Sequence, residues 1–142
     1  MTKNTKEQLV AELESTFYSV DSLARPFSAS DLITVSAKYT LYVSVAKSAI
    51  YLSLRNKRDG SKIYDLTIDV EDLDDIWFNG YYYDGKHELS NNVSEFHSFY
   101  SERKTPQFTK SVKDLVDTIP TDFQVECFLR GLREFKHQYL SK

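Results

Sequence analysis

Asp69, Glu71, Asp72, Asp74 and Asp75 place five carboxylates in one short stretch, and Trp77, Phe78, Tyr81, Tyr82 and Tyr83 follow with only Asn79-Gly80 between them. Carboxylates this close could surround a hard divalent cation with oxygen ligands. The spacing lacks the central glycine and terminal glutamate of a calcium loop, so no metal site is assigned. They could instead meet a basic surface, imitate nucleic-acid phosphates, or serve as a charged edge that blocks strand-to-strand association. The rings point to a second chemistry. Tyr and Trp offer a large contact area with few rotatable bonds, so they serve as anchors in protein interfaces. Alternation along an extended chain puts Trp77 and Phe78 on opposite sides, and likewise Tyr81 and Tyr82. The segment is therefore either a lid on the core or a partner surface. Base stacking would need basic neighbours, and these neighbours are acidic.

Arg55, Lys57, Arg58 and Lys62 form the basic patch of the strand region and are the candidate phosphate contacts. The other reactive side chains do not assemble. His87, His97 and His137 lack the four-residue helical spacing of zinc peptidases. Cys127 is the single cysteine, which excludes an intramolecular disulfide and a cysteine metal cluster, and no adjacent group marks it as a nucleophile. There is no nucleophile-elbow serine and no glycine-rich phosphate loop. Asp69-Val70-Glu71 lacks the lysine, two positions from an acid, that metal-dependent nuclease cores use on a strand. The expectation is a protein without enzymatic activity, metal or cofactor.

The 142 residues suit one domain, and a chain of that size buries roughly two thirds of its unfolded surface without metal or disulfide help. A net charge of −3 argues against a general affinity for nucleic acid. No apolar run is long enough for a signal peptide or a membrane span, so the expected location is the cytoplasm, without membrane contact.

These groups must be positioned by the elements around them. Thr5 and Gln8 have capping-box spacing, and Leu9, Leu13 and Phe17 continue as a helical stripe. After Pro26, Ser30-Asp31 reads as the start of a helical turn. Val35, Ala37, Tyr39, Leu41, Val43 and Val45 alternate with polar residues and predict one strand. Ile50, Leu52 and Leu54 predict a second, and Tyr64, Leu66, Ile68 and Val70 a third. Parity sets the register. A four-residue loop opposes Val45 to Ile50 and Val43 to Leu52. A two-residue Asp59-Gly60 turn would set Leu54 against Asp65, apolar against polar, whereas a three-residue loop sets Leu54 against Tyr64 and Leu52 against Leu66, with Gly60 left-handed. Of Asn79-Gly80 and Asp84-Gly85, one is expected to turn and the other to bulge or loop. Asn92 and Glu95 have N-terminal helix spacing ahead of Val93, Phe96, Phe99 and Tyr100. Pro106 reads as loop. Val112, Leu115, Val116 and Ile119 form a short helix stopped by Pro120. Thr121 and Gln124 begin a final helix striped by Val125, Phe128, Leu129, Leu132, Phe135 and Tyr139. Gly131 within that helix signals close packing against another element.

The fold class is α+β, a single domain spanning residues 1–142. An antiparallel meander of at least three strands, with a β-hairpin extension, packs against the N-terminal helix and a helical C-terminal third. The expected function is a protein-binding module presenting Asp69 to Tyr83 to a protein with a basic surface. An inhibitor carried by a phage or mobile element, an adaptor and a chaperone would all fit that description. The alternatives are a nucleic-acid binder using the Arg55 to Lys62 turn and an enzyme without a recognisable motif. Tyr42, Tyr51 and Ile63 on the polar strand face are the candidate homodimer contact.

Overall fold

A computed structural model describes residues 3–47, 49–70, 75–83, 88–98 and 106–140. The element order is α1 (Lys3–Asp21), β1 (Ser28–Thr34), β2 (Tyr39–Ala46), β3 (Ala49–Asn56), β4 (Lys62–Val70), β5 (Asp75–Tyr83), β6 (Glu88–Ser98), α2 (Pro106–Asp117) and α3 (Asp122–Tyr139). The strands form one sheet in sequence order, each antiparallel to the next. The fold is α+β with an antiparallel meander, as the residue pattern predicts.

The parity argument holds across the middle of the sheet. Val45 pairs with Ile50 and Val43 with Leu52. Leu52 pairs with Leu66 and Leu54 with Tyr64. Gly60 has φ of 75°, the left-handed region that favours glycine. The expected three-residue loop is not formed: the register slips so that Arg55 meets Lys62, and the Asn56 amide donates to the Ser61 carbonyl at 2.9 Å, which leaves Lys57 to Gly60 in the turn. Ile63 is the extra residue of the bulge, and it packs against the core cluster instead of standing on the polar face.

Other local expectations are overturned. Thr5 does not start α1 but lies within it, since the helix already includes Lys3. Ser30-Asp31 starts no helical turn; it lies within β1. The long strand through Val35 and Ala37 is broken, because the Ser36 hydroxyl accepts from the amides of Lys38 at 3.2 Å and Tyr39 at 3.1 Å and turns the chain from β1 into β2. Asn92 to Ser98 is not helical but part of β6, where ladder pairing with β5 outweighs the capping spacing. Pro106 is the first residue of α2, a position where its missing N–H costs nothing.

One side of the sheet carries the core. Leu41, Val43, Ile50, Leu52, Leu54, Tyr64, Leu66, Ile68, Ile76 and Phe78 are buried there with the helices. α3 lies over β1, β2 and β3, α2 lies over β5 and β6, and α1 packs along both helices. Gly131 is where α3 meets β2: a Cβ there would stand 3.0 Å from Leu41 Cβ and 3.1 Å from Val35 Cγ1. Half of the second capping box forms, with the Thr121 hydroxyl accepting from the Gln124 amide at 3.2 Å. α1 and α3 are tied by Glu12, which receives Lys136 at 2.8 Å and Arg133 at 3.2 Å. Burial alone would raise the Glu12 carboxyl, but those two cations outweigh it and hold it below the usual carboxylate range.

Candidate binding face of the sheet

Opposite the core, the sheet presents a face on which no described helix packs. The strand registers lay its residues out in rows. Leu32, Tyr42, Ser53, Asp65 and Tyr81 stand side by side across β1 to β5. The next row holds Ser30, Ser44, Tyr51, Thr67 and Asn79, and beyond it Asp69 stands opposite Trp77. Cross-strand neighbours on one face stand close enough for aromatic and charged side chains to meet.

They do meet. The rings of Tyr42 and Tyr51 stack edge to face at 5.9 Å, and the Arg55 guanidinium lies 4.8 Å from the centre of the Tyr42 ring. The Tyr51 and Tyr83 hydroxyls both donate to Asp65 Oδ2 at 2.9 Å. The Lys62 ammonium is 3.7 Å from the same oxygen and 5.7 Å from the centre of the Tyr83 ring. These large side chains shelter small polar ones, so Ser53, Asp65 and Asn79 are buried although no described helix covers them. Asp65 Oδ1 and Asn79 Oδ1 accept no hydrogen bond.

The aromatic segment divides between the two faces. Phe78 is fully buried against Phe108 of α2, with centroids at 5.7 Å, which leaves its ring no surface for a partner. Trp77, Tyr81 and Tyr83 are half-buried on the open face. Tyr82 pairs with Tyr64 on the helix-bearing side, at its rim, and is 39 % exposed. Asn79-Gly80 makes no turn: it runs through the middle of β5, with a register shift toward β6 just after Gly80. A Cβ on Gly80 would come within 2.8 Å of the Tyr64 hydroxyl and 3.1 Å of Thr118 Oγ1. The glycine therefore admits the Tyr64–Thr118 hydrogen bond that joins β4 to the end of α2. Of the acidic group, Asp69 faces the open side, Asp75 is described only as the first backbone position of β5, and Glu71, Asp72 and Asp74 lie outside the described residues, as does Asp84-Gly85.

The basic turn forms a separate feature. Lys38, Asn56, Lys57, Arg58 and Asp59 line a hollow of about 460 Å³ where the β1–β2 and β3–β4 turns meet. Lys57 donates its amide to the Lys38 carbonyl at 2.8 Å, which joins the two turns. Arg55 and Lys62 point instead into the open face, so the four-residue basic cluster is split.

Sequence reasoning missed the role of Asp65. It reads as the polar alternate of a strand, and only its pairing across three strands marks it as a centre. Phe108 was missed too, although it is fully buried and touches Phe17, Tyr18 and Phe78. Cys127 is buried on α3 and its thiol is pushed up by that burial, as an unreactive thiol would be. Among the described residues, no group of three His, Cys, Asp or Glu side chains is arranged to hold a metal ion. No helix among them is long and apolar enough to cross a membrane.

No family model, curated protein or solved structure matches the chain.

Proposed function

We propose that this protein is a non-enzymatic binding module whose contact surface is the open face of the sheet, and that its partner is a protein with a basic surface. One observation carries this reading. Trp77, Tyr81, Tyr83, Tyr51 and Tyr42 stand on a sheet face free of any described helix, directly behind a fully packed core. Rings held on a rigid sheet lose little conformational freedom on binding, which is the property of a preorganised interface. Asp69 among them supplies a carboxylate that favours a basic partner, whereas Asp65 is buried and already meets Lys62. The acidic residues from Glu71 to Asp75 extend that charge along the chain.

The test is capture with paired variants. Trp77→Ala, Tyr81→Ala and Tyr83→Ala combined should abolish recovery of the partner that the unaltered protein captures, while the far-ultraviolet circular dichroism stays the same. Unchanged recovery of that partner contradicts the proposal.

The hollow between the turns supports a second reading, contact with nucleic-acid phosphates through Lys38, Lys57 and Arg58. Its signature is binding that falls steeply with added salt, because phosphate contacts release counterions. A gel-shift series with no retarded species at low salt removes it.

A further inference from the structure

We infer that the hollow between the β1–β2 and β3–β4 turns is a site for a nucleoside polyphosphate, with the phosphates among Lys38, Lys57 and Arg58 and the base against Phe123. It rests on the reading of the hollow as a phosphate site and is independent of the open face. The two turns are fastened to each other and within themselves. Lys57 donates its amide to the Lys38 carbonyl at 2.8 Å, and the Asn56 amide and side chain both donate to Ser61 at 2.9 Å. The hollow they hold, about 460 Å³, lies in the range of roughly 300–1,000 Å³ usual for small-ligand sites. Lys38, Lys57 and Arg58 are exposed, and among the described residues none of them forms an ion pair. Asp59, the one carboxylate of the lining, is engaged by its own turn: Oδ1 accepts from the Ser61 amide at 3.0 Å and the Ser61 hydroxyl at 2.8 Å. Three cations therefore stand with one carboxylate in a chain whose net charge is −3. That local reversal of sign draws anions to the hollow.

The nucleoside part follows from the aromatic pair next to the hollow. Tyr39 follows Lys38 in the chain and pairs with Asn56, and both of those neighbours line the hollow. Phe123, in the first turn of α3, lies against Tyr39 with ring centroids at 5.9 Å and is 50 % exposed. Half of this side chain thus stays in water, where a base can stack on it. Phosphate oxygens suit the cations, since ammonium and guanidinium groups bond them with charge assistance. Inorganic phosphate alone would use the cations and leave the ring bare. The surroundings favour a single nucleotide over a strand. A strand needs a basic groove that follows its backbone. Here the exposed Asp122 and Glu126 flank Phe123 on α3, so phosphates continuing past the ring would meet carboxylates.

The experiment is isothermal titration calorimetry of the full-length protein at low ionic strength. The probes are adenosine triphosphate, inorganic tripolyphosphate, adenosine and a short single-stranded oligonucleotide. Adenosine triphosphate should bind saturably, tripolyphosphate about fivefold or more weakly, the size of one base stacked on a ring, and adenosine not at all. Phe123→Leu keeps an apolar contact with Tyr39 but removes the aromatic face. It should bring adenosine triphosphate down to the level of tripolyphosphate and leave tripolyphosphate unchanged. Lys57→Ala/Arg58→Ala should weaken both about tenfold or more, the size of one lost charge-assisted bond. These side chains are exposed, so the far-ultraviolet circular dichroism of the variants should match that of the unaltered protein. Equal binding of adenosine triphosphate and tripolyphosphate, both indifferent to Phe123→Leu, overturns the nucleotide and leaves the hollow a phosphate site. No saturable binding of either removes the phosphate site as well. Adenosine triphosphate binding that survives Lys57→Ala/Arg58→Ala overturns the placement in the hollow. An oligonucleotide bound more tightly than adenosine triphosphate, through Lys57 and Arg58, overturns the single nucleotide in favour of a strand.

Discussion

Trp77 and Phe78 are adjacent in the chain, yet they belong to two different surfaces. Phe78 enters a core in which β5, α1 and α2 meet through Phe17, Tyr18 and Phe108. Trp77 stands on the other side, in line with Asp69 and beside the row of Tyr51 and Asn79. The helix-covered face is apolar, and its close approaches are tight enough that Gly80 and Gly131 leave no room for a methyl group. The open face is built from rings, hydroxyls and charges, and two of its buried oxygens lack donors. One side is thus closed by apolar packing against helices, while the other carries polar and aromatic groups on which no described helix packs. A segment of unusual composition can serve both, because a strand divides its residues alternately.

The largest expected effect separates these two neighbours. Phe78→Ala should lower stability by about 3–5 kcal/mol, the range for deleting a buried aromatic ring. Trp77→Ala should cost well under half of that, because its ring is half-buried on the open face. Chemical denaturation of both variants makes the comparison, and equal losses would merge the two faces into one structural unit.

A smaller effect is expected on the covered side alone. Gly131→Ala should gain about 1 kcal/mol from helix propensity, but it must push against Leu41 and Val35. Overpacking of that kind costs about 1–3 kcal/mol, so the net change should be a loss of stability, read as a lower melting temperature.

The smallest concerns the Glu12 clamp between α1 and α3. Its carboxyl is lower in the folded protein than in the unfolded chain, so its contribution is present above the unfolded value and lost as pH falls through the folded one. Glu12→Gln should remove on the order of 0.5–1 kcal/mol at neutral pH, the range for partly exposed ion pairs. The difference between Glu12→Gln and the unaltered protein should shrink on acidification, and partner capture at neutral pH should be unaffected.

The covered face was the more legible in the sequence. Period-two alternation from Leu41 to Ile68, combined with the matching of apolar faces, set three strands and the register of their centres, because a one-residue slip would have turned every apolar side chain outward, while the bulge at Ile63 and the longer turn beside it left no mark in that pattern. Gly60 and Gly131 each signalled a local need that the fold meets. β1 was hidden because Ser28, Ser30, Asp31 and Thr34 carry little apolar alternation, and only Ile33 in it is buried. β6 was hidden because Asn92 and Glu95 imitate a helix start while the strand draws its order from pairing with β5. The open face was harder to see. Parity could place Trp77 opposite Phe78, but the acidic stretch interrupts the alternation, so it could not say which side carried the core. The convergence on Asp65 joins β3, β4 and β5, with Tyr51 lying 14 residues before it and Tyr83 18 residues after it, and that is a product of register alone.

The most direct test of the two-face account is quantitative capture of the same partner by three folded proteins. These are the unaltered chain, the open-face variant Trp77→Ala/Tyr81→Ala/Tyr83→Ala, and a helix-side variant, Glu126→Ala/His137→Ala, which alters exposed residues on α3. The account predicts that the helix-side variant recovers the partner in full and the open-face variant recovers none. Loss on the helix side with full recovery by the open-face variant would contradict it.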